Sequence, residues 1–349
     1  MGNAIPGLAN SAVLSLLLIN AARSYAGKLN LMDRPGGRKR HQGAVPTIGG
    51  ICIYSAFLLA LMLDPRLLAF SAVPIANMGL LVCVGALDDA VEVSPARKLI
   101  VETIAAAALV AMTGAPVSDI GGMPKLDPAI GAGFAIVMIL CVINAVNMAD
   151  GVDGLAGWLI TVALLWLVIG ASLAGASNTG EVALRLCVPV GAFLAFNSRA
   201  PWRPVAAVFM GDAGTLMLGY AISWFCLELV HAGIPVIASS LVVAVPVSDT
   251  ISLFFRRLYS GRSPFSADRS HMHHLLEEAG LAPGAISLVL ATVSAAIGGI
   301  GILGAYAGLS PQTFLLVWVA VLAGHCVAVR LLRRRVGTVH LRLAAGGAK

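Results

Sequence analysis

The stretch PAIGAGFAIVMILCVINAVNMADGVDGLAG, residues 128–157, decides how the rest of the chain is read. From Pro128 to Val146 it carries no charge, and Asn144 is its one strongly polar side chain. A helix of that length, rising about 1.5 Å per residue, spans a hydrocarbon core of roughly 30 Å. Polarity then returns abruptly with Asn147, Asp150 and Asp153, while Gly151 and Gly154 break the helix. The segment reads as a membrane span that opens into a polar mouth.

The pattern recurs along the whole chain. Apolar residues make up 58% of the 349 positions, charged ones 11%, and the mean hydropathy is +0.90. A soluble chain of this size needs more charge to cover its surface. Eleven apolar runs stand out: 5–22, 46–63, 67–87, 99–115, 128–146, 155–175, 182–198, 213–230, 233–255, 285–307 and 311–329. Backbone polar groups must be paired in lipid, so these runs are expected to be helices. The fold class is therefore all-α, a polytopic membrane helix bundle of about eleven transmembrane helices. No basic residue precedes Arg23, so the first run lacks the positive start of a signal peptide and reads as an anchor.

Orientation follows from lysine and arginine. With the N-terminus outside and the C-terminus cytoplasmic, the inner segments are 23–45, 88–98, 147–154, 199–212, 256–284 and 330–349. They hold 20 of the 23 Lys and Arg residues; Arg66, Lys125 and Arg185 are the exceptions. The net charge of +6 is then mostly topology, with anionic membrane lipids as partner and no nucleic acid required. The six cysteines (52, 83, 141, 187, 226 and 326) lie singly within spans without CxxC spacing, so no disulfide framework is expected. No soluble domain is expected, only one membrane domain over 1–349 with a basic cytoplasmic tail at 330–349.

The inner loops concentrate the chemistry. In GALDDAVEVSPARK, Asp88 and Asp89 are adjacent carboxylates whose repulsion a cation or Lys98 would offset. At about 4 Å and an effective dielectric near 20 that repulsion is roughly 4 kcal/mol. In NAVNMADGVDGLAG, Asn144, Asn147, Asp150 and Asp153 recur every third residue, a spacing that lets their oxygens converge. Hard oxygen donors of this kind suit Mg²⁺. In VFMGDAGT, Asp212 sits between two glycines at the start of a span, and Phe209 could stack on a planar base. The first loop gathers Arg34, Arg38, Lys39, Arg40 and His41. The last holds Arg256, Arg257, Arg262, Arg269, His271, His273 and His274. Three histidines invite zinc, but no Cys or carboxylate completes a familiar ligand spacing. Imidazole beside arginine suits a pyrophosphate or sugar better. Asp249 and Glu102 lie inside spans, where pairing with Arg256, Arg257 or Lys98 is expected to compete with any functional role. Carboxylates for a cation, basic groups for phosphate and an aromatic for a base together describe a nucleotide-diphosphate site. Its position at a lipid edge points to a lipid as second substrate.

The stretches RKRHQGAVPTIGG, GALDDAVEVSPARK, NAVNMADGVDGLAG, VFMGDAGT and SPFSADRSHMHHLL, in that order, resemble the polyprenyl-phosphate N-acetylhexosamine-1-phosphate transferase family. The resemblance implies transfer of N-acetylhexosamine-1-phosphate from a UDP-sugar to undecaprenyl phosphate, releasing UMP. It also implies Mg²⁺, with Mn²⁺ an acceptable substitute, a bacterial inner-membrane location and a homodimer. By the same resemblance, Asp88 and Asp89 stand near the acceptor phosphate, one of them as base or positioning group, with Lys98 in the same substrate-binding loop. Asp212 matches a metal ligand, joined by Asp89 and Asn147, with Asp150 in the catalytic cluster. Gly151, Val152, Asp153 and Phe209 match a uracil pocket. Arg269, His271, His273 and His274 match a sugar and diphosphate loop, and Lys39 and His41 an entry loop. The DRSHMHH form favours a UDP-N-acetylhexosamine donor, GlcNAc first, over the muramoyl-pentapeptide donor of the peptidoglycan branch. A secondary transporter would instead place its ionisable groups near the midplane, in repeated halves. A lipid-binding scaffold would leave the ordered aspartates without a purpose.

Overall fold

In the computed structural model, which describes residues 4–34, 43–114, 117, 121–122, 126–200, 203–261, 263 and 270–346, the apolar runs become helices. The chain opens with α1 (Ala4–Arg23) and a minimal antiparallel ribbon, β1 (Met32–Asp33) against β2 (Val45–Pro46), in register Met32 to Pro46. Next come α2 (Gly49–Met62), the short α3 (Pro65–Phe70), α4 (Ala72–Val91), α5 (Pro95–Thr113) and α6 (Pro128–Ala149). They are followed by α7 (Leu155–Leu173), α8 (Ser177–Asn197) and α9 (Gly211–His231). A short α10 (Val236–Ser239) runs through a 3-10 turn at Ser240–Val243 into α11 (Ala244–Tyr259). The short α12 (Met272–Glu278), α13 (Pro283–Tyr306) and α14 (Pro311–Gly346) complete the chain.

Local sequence sets these limits. Proline opens α3, α5, α6 and α13, where its missing N–H has no partner to lose. The Asp64 and Asp127 carboxylates accept from Leu67 N (3.3 Å) and Ala129 N (2.9 Å) and so cap α3 and α6.

Among the described residues, eight helical stretches are long and apolar enough to cross a membrane: α4, α6, α7, α8, α9, the α10–α11 series, α13 and the first part of α14. The protein is an all-α, multi-pass membrane bundle. The remaining three expected spans are also helical. However, α2 is only 14 residues long, and α5 carries Arg97, Lys98 and Glu102 in its first half; α1 runs over 20 residues with no charge before Arg23.

At the centre stands α9, with Tyr220, Trp224 and Phe225 fully buried and the Trp224 and Phe225 rings stacked 4.7 Å apart. It packs on α2, α4, α6 and α7. Two glycines permit the closest approaches. A Cβ at Gly50 of α2 would collide with the Gly214 backbone, and one at Gly85 of α4 with the backbone of Asp212 and Ala213. Small residues that let helix backbones meet are the usual means of association in lipid, where apolar side chains gain little by leaving one another's company. The same crossing brings the ends of α2, α4 and α9 into contact.

Large apolar side chains such as Leu63, Val91, Leu288 and Leu316 remain on the outside, as a lipid-facing surface requires. The end of the bundle away from the acidic loops carries its own balanced charge cluster. Arg66 pairs with Glu181 (2.8 Å) and donates to Asn178 (2.9 Å), while Arg185 lies 3.4 Å from Asp64. Two of the three arginines and lysines that break the positive-inside pattern are thus neutralised where they stand.

Candidate active site

Five expected site residues meet at the crossing of α4, α5, α6 and α9. Lys98 Nζ, near the start of α5, lies 2.8 Å from Asp88 Oδ2 and 2.8 Å from Asp212 Oδ2. Asp88 Oδ1 also accepts from Val93 N at 2.6 Å, so the turn after α4 fixes its rotamer. The second carboxylate of the pair points elsewhere. Neighbours on a helix are turned about 100° apart, and Asp89 Oδ1 accepts from Asp212 N at 3.2 Å, at the start of α9. A carboxylate at that end is favoured by the unpaired N–H groups and the helix dipole. Asp89 Oδ2 is buried without a hydrogen-bond partner. From α6, the Asn147 amide donates to Asp212 Oδ1 (2.9 Å) and Thr215 Oγ1 (2.8 Å).

Asp88, Asp89 and Asp212 bring three carboxyl groups against the one ammonium of Lys98. The ammonium bridges two carboxylates, as a bound cation would, and the orphaned Asp89 oxygen is a further free donor. The Asn147 side chain adds an amide oxygen once its amide is turned. A divalent ion with a preference for oxygen fits this donor set. Among the described residues no three His, Cys, Asp or Glu side chains converge on one ion-sized point, so such an ion would share its shell with substrate or water.

The expected convergence of Asn144, Asn147, Asp150 and Asp153 is corrected. A step of three residues turns about 300° around a helix, so Asn144 and Asn147 face different neighbours, and α6 ends at Ala149, before Asp150 and Asp153. Asn144 donates to Glu102 Oε2 (2.7 Å), Asn147 faces Asp212, and Asp153 Oδ2 accepts from Arg199 Nε (2.7 Å) and Ala206 N (3.2 Å). Asp150 ends α6, and burial, with the charges of Asp212 and Asp153, pushes its carboxyl up to about 7.

Beside this centre lies a second group. Val152 is buried with Ala149, Leu155 and Leu159, and so roots the loop in the bundle. Asn197, itself buried, accepts from Gly154 N (2.8 Å) and donates to Val208 O (2.8 Å), joining the 150–154 loop to the segment before Phe209. Phe209 is half-buried; its N–H donates to Pro46 O (2.8 Å) and its carbonyl accepts from Gly49 N (3.0 Å). The histidines arrive from the far side. The His273 ring lies against Gly151, where a Cβ would collide with its Nε2. His271 and His273 stack with ring centres 5.5 Å apart, and His273 and His274 meet at 4.2 Å. The three imidazoles have separate neighbours: His271 Nδ1 is 2.8 Å from Asp249 Oδ2 and His274 is 3.8 Å from Glu277. Lys39, His41 and Arg269 lie outside the described residues.

Several contributors escaped the sequence reading. Thr215, Asn197 and Arg199 hold site residues in place. Asp249 pairs with His271 and His325 (3.2 Å) rather than with Arg256, Arg257 or Lys98, and Glu102 pairs with Asn144. Asn197 could have been noticed as a polar residue closing an apolar span; nothing local marks His325.

Comparison with known proteins identifies the family. Residues 71–230, which include the Asp88, Asn147 and Asp212 loops, match the family described as Glycosyl transferase family 4. The undecaprenyl-phosphate alpha-N-acetylglucosaminyl 1-phosphate transferase of Yersinia pestis is 30% identical over 327 residues, covering 90% of this chain and 89% of that protein. The enzyme of the same name from Haemophilus influenzae is 32% identical over 302 residues, covering 84% of each chain. That from Escherichia coli K12 is 28% identical over 326 residues, covering 90% and 88%. Identity of 30% over 90% of the chain, together with the family match over residues 71–230, places this chain in glycosyl transferase family 4.

Proposed function

We propose that the protein transfers N-acetylhexosamine-1-phosphate, GlcNAc-1-phosphate first among the candidates, from a UDP-sugar to undecaprenyl phosphate. UMP is released, and the step opens the synthesis of a cell-surface polysaccharide at the bacterial inner membrane. The observation that carries this reading is the Lys98 ammonium held between Asp88 and Asp212 beside the unpartnered Asp89 oxygen. A cation among carboxylates at the end of membrane helices supports this reading. The named activity of the relatives supports the same substrates.

In this reading an oxygen of the lipid phosphate attacks the sugar-bound phosphorus of the UDP-sugar, and the bond to the UMP phosphate breaks. Asp88 orients the acceptor or takes its proton; Lys98 draws the acceptor phosphate in and screens its charge. Asp212, Asp89 and Asn147 would hold Mg²⁺, which would supply charge neutralisation on the diphosphate. Asp150 supports that cluster. Gly151, Val152, Asp153 and Phe209 form the uracil pocket, and His271, His273, His274 and Arg269 contact the sugar and diphosphate. Lys39 and His41 belong to the entry loop. An aspartyl-phosphate route is the alternative to direct attack.

The chain is read as one transferase domain over 1–349 with eleven crossings, N-terminus outside and C-terminus cytoplasmic. Its site and basic tail (330–349) then face the cytoplasm, and it works as a homodimer. The test uses purified protein in detergent with labelled UDP-GlcNAc. UMP release is expected only with both undecaprenyl phosphate and Mg²⁺, and Asp212→Asn is expected to abolish it. Full activity of Asp212→Asn, or UMP release without the lipid, overturns the proposal. Competition among UDP-sugars then identifies the donor.

A further inference from the structure

The geometry points to Asp249 and His325 as a positioning pair that sets the orientation of His271 in the transfer reaction. This inference rests on the transferase reading above. Asp249 lies within α11 and is buried. One oxygen, Oδ2, is 2.8 Å from His271 Nδ1; the other, Oδ1, accepts from Met272 N at 3.0 Å. His325, on α14, brings its Nε2 to 3.2 Å from Oδ1, an ion-pair approach in which the ring is not aligned for a hydrogen bond. Three elements are thus tied at one carboxylate: α11, the residues that open α12, and the last membrane helix.

The consequence is chemical as well as structural. A carboxylate facing His271 Nδ1 selects the tautomer with its proton on that nitrogen and leaves Nε2 to meet a substrate. The His271 ring stacks on His273, and His273 abuts Gly151 beside the Asp150 loop. Orientation set at Asp249 therefore passes through two stacked rings to the edge of the acidic centre. His325 supplies a second nitrogen to the buried carboxylate, which would otherwise carry its charge against a single imidazole and one N–H.

The test is a double-mutant cycle on UMP release. Asp249→Asn keeps the shape and an acceptor but removes the charge. Its kcat is expected to fall about 10- to 100-fold, the usual cost of a misplaced reacting group, while KM for UDP-GlcNAc stays within about threefold. In a His271→Ala background the same substitution should cost less than about twofold, because residues acting through one another are not additive. Full kcat in Asp249→Asn, or an equal loss in both backgrounds, overturns the inference. If Asp249→Asn does not fold, His325→Gln serves instead, with a loss of about three- to tenfold that vanishes in His271→Ala; an equal loss in both backgrounds overturns the pairing. Nitrogen-15 NMR of labelled imidazoles, with His271 assigned from His271→Ala, reads the orientation without turnover. The Nδ1-protonated form is expected in the wild type and its depletion in Asp249→Asn. An unchanged His271 spectrum overturns the inference, whereas a wild type that releases no UMP overturns only the transferase reading.

Discussion

Removing the Lys98 ammonium gives the sharpest test of the acidic centre. Without a divalent ion, Lys98 is the cation held between Asp88 and Asp212, at 2.8 Å from each. Lys98→Ala removes the ammonium that faces Asp88 and Asp212; because these side chains are 17–25% exposed, the cost should lie between that of an exposed and a buried ion pair, about 1–3 kcal/mol. The variant should therefore melt at a lower temperature than the wild type in detergent with EDTA. Mg²⁺ should then reverse the loss. One added negative charge about 5 Å from a divalent ion contributes, even at the dielectric of water, close to 2 kcal/mol, which is more than tenfold in affinity. Thermal unfolding followed by intrinsic fluorescence across a Mg²⁺ titration is expected to show a larger stabilisation in Lys98→Ala, with a midpoint at lower Mg²⁺. Equal melting temperatures in EDTA, or identical Mg²⁺ responses, would refute the view that Lys98 occupies a cation position. The readout requires no turnover, so a variant that is also inactive still answers the question.

Three further outcomes are expected. Gly50→Ala sets a methyl group into the Gly214 backbone and should cost at least about 1–3 kcal/mol, seen as a lower melting temperature, whereas Gly284→Ala, in open space on α13, should be neutral or mildly stabilising. Gly151→Ala pushes the His273 ring away from the loop; kcat should fall while the melting temperature changes little. Asp150→Asn should stabilise the protein more at pH 8 than at pH 5. The native carboxyl titrates near 7 against an ordinary 3.8, so its favourable contribution is complete below the ordinary value and is lost as pH rises towards 7, by at most about 4 kcal/mol. A melting-temperature difference that does not grow with pH would remove burial as the cause.

The acidic floor of the site was legible because its carboxylates stand in separate polar stretches between apolar runs, Asp88 with Asp89 in one and Asp212 in another, and helix length alone brings those stretches to one level. The finer pairing was not legible. Period three suggested convergence of Asn144, Asn147, Asp150 and Asp153, but the drift of a 3.6-residue helix sent Asn144 to Glu102, and α6 ends at Ala149, so Asp153 lies in the following turn and meets Arg199. Asp249 misled for a related reason. Arg256 shares its face two turns on, about 10 Å along the axis and too far to pair directly. Its actual partners come from residues 271 and 325, and no local pattern announces a contact across that separation. Eleven apolar runs were readable as helices, but among the described residues two depart from a plain span: α2 is only 14 residues long and α5 carries charge at its start.

The carboxylate of Asp89 on the first turn of α9 has a practical consequence for genetics. The residue that invites deletion as a candidate base also anchors the helix on which Asp212 rides. An inactive Asp89→Ala would confound loss of an oxygen donor with displacement of its neighbour. Asp89→Asn, which keeps an acceptor for the Asp212 N–H, separates the two. At Asp88 the ambiguity is smaller, since its backbone contact is with Val93 in the adjoining turn. A dead variant there is the cleaner witness to where the proton goes.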